Sequence, residues 1–388
     1  MSGKALRILA AGAIAAWLAI PSLGSSPVVE HGGAVVGLTA HEWGTFTSVA
    51  GPGGEAVAWV PLQGSASLPA FVERFRDDNF KCGLSETVRM ETPVLYFYSP
   101  LETTVSVNVS FAKGVITEWY PHASAVERND AQGSIRWNAV RLLPNSRAAF
   151  PSGGDNHYYA ARNTAATPLR VKAPNGDQDE KFLFYRGASS AALPLAARLT
   201  PEGKVLVRNL GPDEIPAVMS IESRGGKLGY STIGSLRDQA PVEPPPLTAS
   251  ADSMFKDLEG ILVARGLYVD EARAMIATWR NSWFEEGSRL LYIVPAQSVN
   301  EILPLAIHPA PASTVRVFVG RLELITPATE TAVEQAFQLH DQPAIDKYRR
   351  FLVPILNSAM ARAQADPLRT RKLENYLKAA YSDACRSW

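Results

Sequence analysis

The chain has 388 residues, 38 of them Lys or Arg and 38 Asp or Glu, with 46% hydrophobic and 20% charged positions. That balance is too apolar for a disordered chain, and beyond the N-terminal segment no apolar run reaches the roughly 18 residues of a membrane span, so a globular body is expected. A formal charge of zero with no basic cluster argues against nucleic acid as a partner, because phosphate binding needs concentrated Lys and Arg.

The first element is a cleavable secretory signal over residues 1–24. Lys4 and Arg7 precede an apolar run from Ile8 to Ile20, followed by Pro21 and the small residues Ser22 and Gly24. As a helix that run rises about 20 Å, short of the roughly 30 Å hydrocarbon core, which disfavours an uncleaved anchor. The expected product is periplasmic or extracellular, with no membrane span after cleavage. In such an oxidising compartment the two cysteines, Cys82 and Cys385, can form a disulfide tying the C-terminal tail to the N-terminal region. Loop closure would then contribute about 4 to 5 kcal/mol. Two separate buried thiols are the alternative.

From Thr103 the sequence alternates Val105, Val107, Val109 and Phe111 with Ser106, Asn108 and Ser110, the period of a half-buried strand. Ala112-Lys113-Gly114 fits a three-residue hairpin loop, with Phe111 facing Val115 and Val107 facing Trp119. The valines then point inward and Glu118 outward. Ile135, Trp137 and Ala139 mark another strand, and Lys181 to Arg186 a short aromatic one after the Asn175-Gly176 turn. Thr200-Pro-Glu-Gly203 marks a second hairpin, whose outgoing strand runs from Lys204 to Leu210. Many short strands with Gly and Pro turns predict a β-sandwich-like body over 38–240.

The run 241–247 is proline-rich and is expected to be a linker, since Pro lacks the donor a ladder or helix requires. Beyond it, 248–388 reads as an α+β, helix-rich part. Ser250 precedes a helical stripe of Met254, Phe255, Leu258, Ile261 and Leu262, with Gly266 at its end. Asp270 to Glu286 follows as a second helix, giving an αα-hairpin whose tryptophans pack in the core. Leu290 to Val294 and Thr314 to Ile325 return to strand, the latter interleaving Arg316, Arg321 and Glu323 as on a sheet with one wet face. Tyr348, Phe351, Leu352, Ile355 and Leu356, then Leu373, Tyr376 and Leu377, predict closing helices.

Three places carry residue types suited to chemistry. His41, Glu42 and Trp43 stand together in a strand-like run, where neighbouring side chains point to opposite faces. The loop holding Asp155, His157, Tyr158, Tyr159 and Arg162 follows two glycines, and offers aromatic faces for stacking beside groups that share protons or a metal. Glu118 and His122 end the first expected hairpin. A structural role competes at each: core histidine, surface turn, solvated carboxylate. No zinc-protease spacing, nucleophile elbow, phosphate loop or calcium loop is present. The serine-lysine spacing at Ser253–Lys256 recurs inside the hairpin at Ser110–Lys113, which marks it as chance.

His41-Glu-Trp-Gly-Thr-Phe-Thr47, Arg89-Met-Glu-Thr-Pro-Val-Leu-Tyr96, Thr117-Glu-Trp-Tyr-Pro121, Thr278-Trp-Arg-Asn-Ser-Trp-Phe-Glu-Glu-Gly287 and Val317-Phe-Val-Gly-Arg321 together resemble an exported bacterial family with no assigned function. The resemblance spans most of the chain after the signal and implies no activity, cofactor or catalytic residue. The reading favoured is a non-catalytic envelope module that binds a saccharide, peptide or protein partner without a cofactor, its ligand residues drawn from His41, Glu42, Trp43, Glu118, Asp155, His157, Tyr158, Tyr159 and Arg162. The alternative is a periplasmic hydrolase, with or without a metal, using His41, His157 or His122 with Glu42 or Asp155, or pairing Glu42 with Glu118 as a glycosidase does.

Overall fold

A computed structural model describes residues 35–62, 68–75, 84–129 and 132–386, and the side chains of 35 and 383–386 are excepted. The signal segment and the expected Cys82–Cys385 pairing lie outside what is described. The fold is mainly β, with its helices concentrated in the C-terminal part. In chain order the first strands are β1 (Val35–Val49), β2 (Glu73–Arg74), β3 (Val88–Tyr98), β4 (Thr103–Ala112), β5 (Gly114–Tyr120), β6 (Ala125–Arg128) and β7 (Gln132–Leu142). A 3-10 helix at His157–Arg162 separates these from β8 (Leu169–Ala173), β9 (Gly176–Glu180), β10 (Phe182–Ser189), β11 (Leu195–Leu199), β12 (Val205–Asn209), β13 (Ile215–Arg224), β14 (Lys227–Leu236) and β15 (Gln239–Val242). Then come α1 (Ala251–Ala264), α2 (Val269–Trp283), β16 (Gly287–Ile293), α3 (Ala296–Ile302), β17 (Leu305–His308), β18 (Pro311–Leu324), α4 (Pro327–Gln338), α5 (Gln342–Lys347), α6 (Leu352–Arg362) and α7 (Pro367–Arg386).

Nine strands form the central sheet in the order β14-β13-β16-β18-β1-β3-β10-β5-β2. One face of it shares an apolar layer with the six-stranded sheet of β17, β4, β7, β8, β9 and β6 and with the three-stranded sheet of β11, β12 and β15. Phe46, Leu95, Leu183 and Phe318 meet Val105, Val107, Val109, Trp137 and Val171 there, the arrangement of a sandwich. The opposite face is covered by α1, α2 and the 3-10 helix, with Trp43, Val94, Tyr96, Phe184 and Val317 under Met254, Leu258, Met275 and Trp279. A third apolar cluster joins Val49, Trp59 and Ile325 to α4 through α7.

The expected hairpin at 112–114 is not one. Val105, Val107, Val109 and Phe111 are buried as the alternation predicts, but β4 pairs with β7 and β17, while β5 pairs with β10 and β2. Lys113, at φ 49, turns the chain from one sheet into the other. Glu118 is consequently buried, not outward: β5 lies in the central sheet, and its other face is covered as well. The inward alternation of β7 slips at a bulge opposite Val105 and Val107, so that Val140 is buried and Ala139 exposed. The second hairpin forms as read, with Leu199 paired to Val205 and Gly203 at φ 82.

Ser250 caps α1 by accepting the Ser253 N–H, and Gly266 ends it at φ 109, giving the αα-hairpin read from the sequence. The proline run does not part the sheet, because β13 and β14 before it and β16 and β18 after it are hydrogen-bonded neighbours. The run instead follows the outer edge of β14. The Pro245 and Pro246 carbonyls crowd Gly229, and Ala249 donates to the Leu228 carbonyl, which shields an edge that would otherwise pair with other chains.

Strand β18 is not wet on one side either: Arg321 and Glu323 are buried. It runs parallel to β1 and antiparallel to β16, and on both flanks an aromatic ring covers a cross-strand glycine. A Cβ on Gly44 would stand 2.6 Å from the Phe318 ring, and one on Gly320 would stand 2.1 Å from that of Tyr292. Gly320→Ala should therefore cost about 1 to 3 kcal/mol by overpacking, read as a lower urea midpoint with unchanged slope. An unchanged midpoint would show that Tyr292 moves freely.

Candidate functional site

Along the helix-covered face, side chains of one parity change from apolar to charged within single strands. Val317 and Val319 are followed by Arg321 and Glu323, Phe182 and Phe184 by Arg186, and Trp43 by Thr45 and Thr47. Running β5 toward its start, Tyr120 gives way to Glu118, and on β3 Tyr96 and Val94 give way to Glu91 and Arg89. The resulting belt crosses the sheet from β16 to β5. From β16 to β3 its side chains are buried because the end of α2 and the Arg349–Phe351 turn, rather than water, lie over them.

At one end Glu323 accepts from Arg289 Nε at 3.0 Å and Nη2 at 3.1 Å, and from Arg321 Nη2 at 2.9 Å. Arg289 also donates to the Trp283 and Glu286 carbonyls, satisfying the C-terminus of α2. Arg321 reaches Glu285 at 2.6 Å and Ser282 Oγ at 3.0 Å, and Ser282 Oγ accepts from Arg350 at 2.9 Å. Arg350 passes the network to Glu91, which also accepts from Thr47 at 2.7 Å and lies 3.2 Å from Arg89 Nε. Burial alone would raise the Glu91 carboxyl, but Arg350, Arg89, Thr47 and Arg186 outweigh it and bring it down to about 2. Burial likewise opposes the Glu323 charge, and Arg289 and Arg321 overcome it and hold its pKa below the usual range.

The other end is different. Arg186 is 6% exposed, and among the described residues no carboxylate lies within hydrogen-bonding distance of it. Its one hydrogen bond to a described side chain runs from Nη2 to the Thr92 hydroxyl at 3.3 Å, and its Nε has no partner. Burial first, then the neighbouring Arg89 charge, push its pKa down to about 10 against partial help from Glu118 and Glu91. Among the described residues, five guanidinium groups, Arg89, Arg186, Arg289, Arg321 and Arg350, thus face four carboxylates, Glu91, Glu118, Glu285 and Glu323.

Sheet irregularities converge on the same end. Extra residues enter β3 between Glu91 and Val94 and β5 between Ile116 and Glu118, so register shifts align across β1, β3, β10 and β5. Thr92 holds φ 48, unfavourable for a β-branched residue. Bulges re-aim side chains and are enriched beside functional sites. Here they turn Glu91 and Arg186 onto the covered face.

The residues singled out from sequence are dispersed. His41 and Glu42 point to opposite faces, as strand parity requires. His41 Nδ1 bonds Glu271 at 2.8 Å among Tyr98 and Tyr268, and Glu271 also accepts from the Tyr98 hydroxyl at 2.7 Å. Glu42, on the sandwich side, is held by Arg316 Nε at 2.7 Å and by the Tyr185 hydroxyl. Trp43 is core, packed near Tyr96. His122 bonds Glu73 at 2.9 Å near the sheet edge.

In the 153–162 loop Asp155 is exposed, while Tyr158 is buried and donates to Glu180 at 3.1 Å. Arg162 forks onto Glu180 and lies against Phe71, Phe150, Tyr158 and Tyr159, which anchors the loop. His157 is the loop residue that faces the belt: burial and then the Arg186 charge lower its pKa, and Glu91 partly opposes them. Glu118, cross-strand neighbour of Arg186, is the other predicted residue that arrives there. Of the hydrolase candidates, His41 and Glu42 lie on opposite faces, and His122 bonds Glu73. No group of three metal-ligating side chains occurs among the described residues, and no helix among them is long and apolar enough to cross a membrane.

Arg89, Glu91, Arg186, Arg289, Arg321, Glu323 and Arg350 were missed from sequence. The signal that could have found them is a charged residue at core parity, as in Val317-Phe-Val-Gly-Arg321. The five sequence phrases quoted above all supply residues to this face: Thr47, Glu91, Glu118, Ser282 with Glu285, and Arg321. No protein-family model and no curated protein matches the chain.

Proposed function

We propose that this chain is an exported, non-catalytic binding module that takes the acidic group of an envelope ligand at the Arg186 end of the belt. The observation that carries the reading is a buried guanidinium with donor capacity to spare, beside two others, Arg89 and Arg350. A guanidinium stays protonated and can bind an anion, but it neither gives nor takes the proton that acid-base hydrolysis requires. Support also comes from the way three of the catalytic candidates are occupied structurally: His41 by Glu271, His122 by Glu73, Glu42 by Arg316.

The test uses protein beginning after residue 24, incubated with alginate, poly-glutamate or neutral dextran. Either acidic polymer should raise the melting temperature by a few degrees at saturating concentration, dextran should not, and Arg186→Gln should abolish the rise. Cleavage of any of the three polymers, or indifference to both acidic ones, would overturn the reading.

A further inference from the structure

Resting on that reading, and deepening it, the geometry points to a carboxylate as the group that Arg186 receives, side-on, across its Nε and Nη2 donors. The same edge is used throughout this molecule for carboxylates. Arg162 presents Nε and Nη2 to the two oxygens of Glu180 at 2.9 and 2.6 Å, and Arg289 presents the same pair to those of Glu323 at 3.0 and 3.1 Å. Both are largely withdrawn from solvent, and each has its planar fork filled. Arg186 has the same fork, equally withdrawn, with Nε unbonded and Nη2 on a neutral hydroxyl at 3.3 Å, a long bond. Two parallel N–H donors match the two coplanar oxygens of a carboxylate.

Charge and donor supply argue against phosphate or sulfate. A tetrahedral dianion needs donors from several directions and at least two positive charges in excess. The neighbouring guanidiniums are committed: Arg89 to Glu91 and the Pro61 carbonyl, Arg350 to Glu91 and Ser282. Among the described residues, five guanidiniums against four carboxylates leave one positive charge, and the lowered pKa of His157 keeps its ring from adding a second near neutrality. The Phe184 ring, 5.6 Å from the Arg186 guanidinium, backs its plane and leaves the edge as the binding surface.

The experiment is isothermal titration of the protein starting after residue 24 with D-glucuronate, N-acetylglutamate and glucose 6-phosphate, repeated on Arg186→Lys and Arg186→Gln. The carboxylate probes should bind at least ten-fold more tightly than the phosphate. Arg186→Lys, which keeps the charge and loses the fork, should weaken them about ten-fold at an unchanged melting temperature. Glucuronate alone binding would place the carboxylate on a sugar and acetylglutamate alone on a peptide, and either supports the assignment. Phosphate binding as tightly as the carboxylates, through Arg186, would overturn the carboxylate while leaving the binding module standing. Carboxylate affinity that survives in Arg186→Lys would overturn the fork. No Arg186-dependent binding of any probe overturns both.

Discussion

Replacing Glu91 by Gln should lower stability by about 3 to 5 kcal/mol, because it strands the Arg350, Arg89 and Arg186 charges around a neutral amide in a buried setting. The effect reaches beyond β3. Arg350 precedes α6, so Glu91 is one of the polar links between the central sheet and the C-terminal helices. The pH dependence has a definite sign. With a folded pKa of about 2 against an ordinary 4.5, the charged carboxylate contributes stability that is fully present above about pH 5 and is lost as the pH falls toward 2. That difference is worth roughly 3 kcal/mol. Urea unfolding from pH 7 down to pH 2.5 checks both parts: wild-type stability should decline through this window, and Glu91→Gln should start lower and decline less. Parallel curves would mean that Glu91 is not the group whose protonation loosens the fold.

Strand and helix identity were legible because they depend on local periodicity. The alternation of Val105 to Phe111 fixes a buried face whichever strand pairs with it, and the stripe of Met275, Ile276, Trp279 and Trp283 fixes the inner face of α2. Pairing was less legible. At 112–114 a turn signal sits between two good strands, and local chemistry is the same whether the chain doubles back within one sheet or crosses to the facing one. Burial of Glu118 follows from that crossing, so parity along β4 could not supply it.

The site was illegible for a related reason. A charged residue in a strand reads as solvent-facing unless its partner is known, and these partners are remote: Arg350 lies 259 residues from Glu91 and Arg316 lies 274 from Glu42. The unusual text was visible, in Arg89-Met-Glu-Thr-Pro and in Thr117-Glu-Trp, but its meaning rests on the bulges that aim it. His41 and Glu42 drew attention as a pair of chemical groups, and their alternation correctly placed them on opposite faces. Their partners, Glu271 and Arg316, lie hundreds of residues away.

The two ends of the belt should respond oppositely to loss of charge, and that contrast separates a scaffold from a site. Glu323 neutralises Arg289 and Arg321, all three buried, so Glu323→Gln should cost about 3 to 5 kcal/mol, comparable to the loss at Glu91. Arg186 carries the desolvation cost of a buried cation without a carboxylate on its fork, so Arg186→Met, of similar reach and apolar, should leave stability unchanged or raise it by about 1 to 2 kcal/mol. Proteins keep such a locally unfavourable group where a ligand needs it, and removing it commonly stabilises while function is lost. Urea midpoints of the two variants at pH 7 decide the matter. A loss at Arg186→Met as large as that at Glu323→Gln would make Arg186 a structural member of the network, and the anion would have to be received elsewhere.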